Sequence, residues 1–312
     1  MPLVTTASLY RRALGEGFAV AAFNANNPMV LRAVVEAARG ERAPVILMFE
    51  PAERSWFGPR YLRSLVRAAL DETDCDVVLH LDHGDGYESC RDCIDEGFTS
   101  VMIDGSGLPL EENMALTSRV VEYAHRHGVV VEAELGCLRP LPEEGGVPAT
   151  GGGLTVPEEA ACFVAKTGCD SLAVAVGTSH GIHKFVGEPR LDFARLAAIE
   201  VVLPDYPLVL HGASSVAPEL VATCRAHGAL LPGAQGVPEW MVVQAARRNV
   251  CKVNIDTDLR LAMTAALRRH LAEHPSNIDP EQYLGAAAEE VGSLVRHKIR
   301  LLRPVGPAGP AP

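Results

Sequence analysis

The stretch HLDHGDGYESC, residues 80–90, follows an apolar run that reads as a strand. It sets His80, Asp82 and His83 together where a buried strand runs out. A charge buried without a partner is expensive, so two imidazoles and a carboxylate at such a place suggest a metal, a proton-transfer site, or both. The remaining ligands must come from elsewhere in the chain. Later segments offer them: GTSHGIHKF carries His180, VLHGASS carries His211, and further apolar runs end in Asp104, Glu134, Asn254 and Asp256. A lone histidine is more often a satisfied structural residue. Three at successive strand ends are hard to place as filler, and three imidazoles with one open position form a catalytic zinc arrangement. Such an ion polarises a carbonyl as a Lewis acid, and Asp82, next to a ligand, is placed to move a proton. His80 points the wrong way for a ligand, because alternate strand residues face opposite sides; it reads as a structural or supporting residue.

The elements that must position these groups alternate along the chain. GFAVAAF (17–23), APVILMF (43–49), DVVLHL (76–81), TSVMID (99–104), VVVEAE (129–134), SLAVAVG (171–177), PLVLHG (207–212) and CKVNID (251–256) each precede a helical pattern. These runs are continuously apolar, the mark of parallel strands buried on both faces. Eight such units predict a (β/α)8 TIM barrel, whose active site lies at the C-terminal ends of the strands. A doubly wound open sheet is the runner-up, and no G-x-G-x-x-G follows the first strand to support it. The stretch 280–302 predicts extra C-terminal helix outside the barrel. Residues 1–302 read as one domain, and 303–312 as a flexible Pro/Gly-rich tail. The Gly/Pro-rich segment 136–153 reads as a lid or a disordered loop. Gly212 and Ser214 are expected to open one helix, and Asp256 and Thr257 the next, where barrels often bind phosphate through backbone N–H groups.

Composition narrows the function classes. The chain has 312 residues and a net charge of −11, without the Lys/Arg cluster of a nucleic-acid binder. It has no apolar run long enough to span a bilayer and no signal-peptide pattern. Its eight scattered cysteines therefore read as reduced thiols of a cytoplasmic protein. Cys90 and Cys93 form a C-x-x-C inside a helical stretch, read as two small helix-face residues because a zinc site would want a second such pair.

Taken in order, AFNANN, HLDHG, GFTSVMIDGS, VEAELG, GTSHG, HGASS and KVNIDTDLRLA resemble the class II fructose-bisphosphate aldolase family, which includes the tagatose-bisphosphate enzymes, from about residue 2 to about 302. The resemblance implies one zinc per chain on His83, His180 and His211, with room for a monovalent cation. Asp104 and Glu134 match carboxylates near the metal's alternative position. Asp82 matches the acid/base at the substrate's C4 oxygen. Gly181, Lys184, Gly212, Ser214, Asn254, Asp256 and Thr257 match the groups around dihydroxyacetone phosphate, and Asn24 an active-site asparagine. The implied reaction is reversible cleavage of a ketose 1-phosphate to dihydroxyacetone phosphate and an aldehyde by a cytoplasmic homo-oligomer, dimer or tetramer. A loop glutamate takes the C3 proton in that family. Here the loop reads RPLPEEGGVP, which departs from the usual pattern and leaves Glu143 and Glu144 as alternatives.

Two other positions depart from the family. Glu50 in ILMFEP and Glu281 in IDPEQYL stand where a serine and a neighbouring subunit's arginine contact the 6-phosphate; Arg260 keeps the third contact. A carboxylate about 4 Å from a phosphate charge costs roughly 4 kcal/mol at an effective dielectric near 20, or about three decades in affinity. A neutral or amine-bearing acceptor aldehyde is therefore one expectation; the plainer alternative is that both glutamates turn away and Arg54 or another cation contacts the phosphate. A sugar-phosphate isomerase or epimerase, and a catalytically dead sugar-phosphate binder, are the readings from other classes. The survival of the ligands, Asp82 and the phosphate groups disfavours the dead binder.

Overall fold

Eight parallel strands pair in chain order and close into a barrel: β1 (Val20–Asn24), β2 (Val45–Phe49), β3 (Val77–Gly84), β4 (Ser100–Ile103), β5 (Val130–Leu135), β6 (Ser171–Val174), β7 (Leu208–Leu210) and β8 (Val250–Ile255). The expected TIM barrel is what forms. The structure is a computed structural model and describes residues 3–138, 153–183 and 188–303. The outer ring comprises α2 (Pro28–Glu41), α4 (Pro59–Asp71), α5 (Tyr87–Asp95), α6 (Leu110–Arg126), α7 (Pro157–Thr167), α8 (Phe193–Val202), α9 (Pro218–Ala226) and α11 (Thr257–Glu273). The extra helix expected near the C-terminus is α12 (Pro280–Leu302). Three further helices, α1 (Thr6–Glu16), α3 (Pro51–Phe57) and α10 (Glu239–Ala246), lie outside the eight-fold repeat. Among the described residues no helix is long and apolar enough to cross a membrane.

Strand alternation sorts the residues into two layers. Phe23, Leu47, Leu81, Val131, Val174 and Leu210 face outward and join the helices in one core. Val20, Ala22, Ile46, Met48 and Val78 face inward and meet Leu9, Tyr10 and Ala13 of α1 in a separate cluster. That cluster plugs the N-terminal end of the barrel. Toward the other end the interior turns polar, with Asn24, His80, Asp82, Glu132, Lys252 and Asn254 all buried. On the outside, α12 packs along α2 and α11. The Leu302 carbonyl accepts the Ala19 N–H at 3.3 Å, and Arg300 pairs with Glu41 at 2.8 Å. Of the expected tail, Arg303 is seen, donating to the Glu41 carbonyl; 304–312 lie outside the described residues. Cys90 and Cys93 are buried in α5, as two helix-face residues should be.

One irregularity decides the chemistry. Strict alternation from Asp82 would turn His83 outward. The β3–β4 register runs His80↔Ser100 and Leu81↔Val101, then shifts to Gly84↔Ile103, so β3 carries one extra residue, as at a β-bulge. His83 adopts φ 45°, a left-handed conformation uncommon outside glycine, and the kink keeps both Asp82 and His83 at the mouth. Gly84 makes it sterically feasible: a Cβ there would lie 2.5 Å from the Met102 carbonyl oxygen and 2.9 Å from Cys90 Sγ. Gly84→Ala should therefore destabilise the protein by about 1–3 kcal/mol. It should lower the denaturant midpoint without changing the slope; an unchanged midpoint would show that the strand end adjusts freely.

Candidate active site

At the C-terminal mouth, the ends of β3 and β7 and the loop after β6 bring three imidazoles together. Ring centroids are 4.9 Å apart for His83 and His180, 4.8 Å for His83 and His211, and 6.4 Å for His180 and His211. One nitrogen from each lies within 4.8 Å of the others, and His83, Asp104 and Glu134 form a second set of the same tightness. Asp104 accepts from His83 Nδ1 at 2.8 Å, and its other oxygen accepts from the Ser106 N–H and Oγ.

Beneath this cluster runs a buried polar chain. Lys252 Nζ donates to Glu132 Oε2 at 2.8 Å and to His80 Nε2 at 3.0 Å. An ammonium only donates, so His80 Nε2 accepts, and its Nδ1–H donates to Ser100 Oγ at 2.8 Å. Burial, with the Lys252 charge second, pushes His80 down to about 3, so it stays neutral. Burial alone would raise Glu132; the Lys252 ammonium and the His211 hydrogen bond hold it down at about 2. Glu132 Oε1 then accepts from His211 Nε2 at 2.9 Å. That fixes the tautomer and turns His211 Nδ1 toward the cluster. His80 does share its side with Asp82; that side is the barrel interior, one layer below the mouth.

The cluster fits a cation. His211 Nδ1 and Glu134 Oε2 lie 3.1 Å apart, and both are buried without a hydrogen-bond partner. Burial would lower His83, yet Asp82, the Asp104 hydrogen bond and Glu134 raise it to about 10. Surroundings that pull a proton onto a half-buried imidazole are negative enough to hold a divalent ion in its place. Asp82 completes the set. Asn24 Nδ2 donates to its Oδ2 at 3.3 Å and Asn254 Nδ2 to its Oδ1 at 2.9 Å. Burial would raise this carboxyl, but His83, Lys252 and His211 together keep it well below the usual carboxylate range.

A cavity of about 590 Å³ opens above these groups. Of the sequence-predicted residues, Asn24, Glu50, Asp82, His83, Asp104, His180, Gly181, Gly212, Ser214, Asn254, Asp256 and Thr257 line it. Asp256 and Thr257 open α11 as expected. Gly212 and Ser214 do not open a helix, because α9 begins only at Pro218. Their loop is held another way: Asp258 accepts the Ser215 and Val216 N–H groups at 2.9 and 2.7 Å and pairs with buried Lys298 at 2.9 Å. At Gly212, φ is 62° and a Cβ would meet the Ser179 carbonyl at 2.6 Å, so only glycine lets that loop pass close. Arg260 sits at the rim, both Asp256 oxygens accepting from its Nε at 2.7 and 2.8 Å. Glu281 is exposed in the first turn of α12 and does not line this chain's cavity. Lys184, Glu143 and Glu144 lie outside the described residues.

Sequence reading missed Glu132, Lys252, Ser106 and Cys137. The first two carried a signal. Glu132 is two residues before Glu134, and Lys252 two before Asn254, inside apolar strands. Charges at the parity of the site residues must share its face and so need each other.

Fold and mouth define a (β/α)8-barrel enzyme with a candidate metal centre, and comparison with known proteins gives the family. The model of the family "Fructose-bisphosphate aldolase class-II" matches residues 4–307. The fructose-bisphosphate aldolase of Treponema pallidum is 44% identical, with 99% of this chain and 98% of that protein covered. That of Thermus caldophilus is 45% identical, covering 98% and 100%. The crystal structure of the YdjI aldolase from Escherichia coli K12 superposes with a TM-score of 0.79 at 28% identity, covering 98% and 99%. The chain belongs to the class II fructose-bisphosphate aldolase family. It is thus an aldolase, a lyase of a typically metal-dependent family that works on sugar phosphates.

The His80 environment makes a pH prediction. Unfolded, this imidazole takes a proton near its ordinary 6.5; folded, it resists until about 3. Between those values the unfolded chain binds the extra proton, so the contribution is intact above 6.5 and is lost as pH falls toward 3. In His80→Gln the unfolding free energy should depend less steeply on pH inside that window than in wild type, measured by denaturant titration inside and above it. Equal slopes would mean that His80 is charged in the folded state.

Proposed function

We propose that this protein cleaves and forms ketose 1-phosphates with a catalytic zinc held by His83, His180 and His211, releasing dihydroxyacetone phosphate and an aldehyde. The observation that carries the reading is the convergence of three imidazoles, with the buried His211 Nδ1 3.1 Å from Glu134 but without a hydrogen bond and Asp82 beside them. The family's sugar-phosphate chemistry supports the substrate class, and a fructose 1,6-bisphosphate-like ketose follows the relatives' names. In cleavage the C3–C4 bond breaks. The C4 hydroxyl loses its proton as its oxygen becomes the aldehyde carbonyl. The electron pair stays with C3, which then takes up a proton. A bound divalent ion supplies a Lewis acid for the negative charge that builds on the C2 oxygen.

The chain's own residues do the rest. Asp82 takes the C4 hydroxyl proton during cleavage and returns it during condensation. Asn24 and Asn254 aim it by donating one hydrogen bond to each of its oxygens. The phosphate sits against the Gly212–Ser214 loop, Gly181 and the N-terminus of α11 at Thr257, where backbone N–H groups and the helix dipole favour an anion. Lys184 adds a cation there. Asp104 steadies His83, and Glu134 stands beside His211 as the metal's alternative contact. Glu143 or Glu144 exchanges the C3 proton. Residues 1–302 act as one catalytic unit, in a cytoplasmic homo-oligomer.

Replacing His83, His180 or His211 with Ala should remove zinc and activity together, read by metal analysis and dihydroxyacetone phosphate release. Full zinc in all three proteins would refute the ligand set. No lysine should form a Schiff base. Among the described residues none lines the cavity, and Lys252 is fully buried and engaged with Glu132 and His80. Chelator should abolish turnover reversibly, and borohydride with substrate should leave the enzyme active; covalent capture of substrate on a lysine would overturn this.

A further inference from the structure

The cavity is chemically lopsided. On the β7–β8 side it presents glycines, hydroxyls and a helix N-terminus. Around Glu50 and Asp82, donors are scarce. Asn24 and Asn254 spend their amide N–H groups on Asp82. Arg260 spends Nε on Asp256 and Nη2 on Glu53, the latter at 3.2 Å. Arg54, the other cation near this wall, is clamped by Glu96 through Nε at 2.9 Å and through Nη2, so it does not stand in as a phosphate contact. Beside the outer edge of the Arg260 guanidinium, the groups left facing a ligand are chiefly acceptors. Glu50, at the end of β2, lines the cavity. Burial and the nearby Asp82 and Asp256 carboxylates raise its pKa, so negative charge is already crowded here. Asn254 Oδ1, on a residue 8% exposed, has no hydrogen-bond partner.

We propose that Glu50 is a specificity-determining residue, and that the aldehyde half of the substrate ends in a hydrogen-bond donor, a hydroxyl or an ammonium, rather than in a second phosphate. This rests on the aldolase reading above and specifies its substrate. A phosphate dianion on the Glu50 side faces carboxylates whose cations are already taken, and like charges brought together at a binding surface are strongly disfavoured. A hydroxyl or ammonium group finds the unfilled Asn254 Oδ1 and the Glu50 carboxylate there. The phosphate of the other half keeps its place against the β7–β8 side.

The test measures dihydroxyacetone phosphate release by the zinc enzyme from fructose 1-phosphate, 6-amino-6-deoxyfructose 1-phosphate and fructose 1,6-bisphosphate. Wild type, Glu50→Gln and Glu50→Ser are compared, with zinc content and thermal unfolding confirming that the variants fold. Wild type should have a higher kcat/KM for at least one singly phosphorylated sugar than for the bisphosphate. Both variants should shift the bisphosphate-to-monophosphate ratio toward the bisphosphate by about tenfold or more, chiefly through KM. Separate arms for the hydroxyl and ammonium sugars identify the donor. A wild-type preference for the bisphosphate, with the ratio unmoved in both variants, would overturn the proposal. No dihydroxyacetone phosphate from any of the three sugars would overturn the fructose-like substrate and this inference with it, while release from another ketose 1-phosphate would leave the aldolase reading standing.

Discussion

The buried ion pair between Lys252 on β8 and Glu132 on β5 organises the mouth. Neither charge has access to water, and each would be costly to leave unpaired inside the barrel. Together they set the state of everything above. Lys252 keeps His80 an acceptor; Glu132, kept ionised, holds the His211 ring in one tautomer and one orientation. A histidine ligand whose far nitrogen is held by a carboxylate is more basic and better aimed than a free one. Such a pair is weak evidence for stability, since apolar replacements of buried ion pairs are often neutral. Its value lies in spanning the barrel interior from β8 to β5 and fixing His211 from below.

A second constraint comes from geometry. A strand can offer only every other residue to the barrel interior, yet the site needs Asp82 and His83 side by side. The extra residue in β3 and the left-handed backbone at His83 meet that need, and they are tolerated because Gly84 leaves room beside β4. The proposed proton-transfer group and one of the proposed metal ligands therefore depend on one local distortion. The rest of the mouth is built on regular elements, except the loop after β7, which Asp258 and Lys298 hold from outside the cavity.

The barrel was legible because its signal is repeated: eight apolar runs, each followed by a helical pattern, leave few alternatives. The histidines were legible because His83 and His211 close strands and His180 follows one in the next loop. Helix α1 was not, since it falls before the first repeat and its apolar face is only Leu9, Tyr10 and Ala13 among polar neighbours. Glu132 and Lys252 were passed over because each looks like a stray charge in its own strand. Their meaning depends on closure of the barrel, which brings residues 120 positions apart to 2.8 Å. The expected helix start at Gly212 and Ser214 has a similar origin: HGASS has the composition of a cap, and only the packing of Asp258 against the loop shows that the chain runs on without helix to Pro218.

The last helix also constrains the order in which the molecule is made. β1 needs β8 to complete its hydrogen bonding, and α12 then lies across α2 and fastens to Ala19 and Glu41 at the other end of the chain. These contacts join residues more than two hundred positions apart, and long loops must close before they can form. During synthesis the N-terminal strands and helices emerge first, with the partners of β1 and α2 still unmade. Closure of the barrel therefore waits on the synthesis of β8 and α12, and until then β1 and α2 lack the partners that cover them.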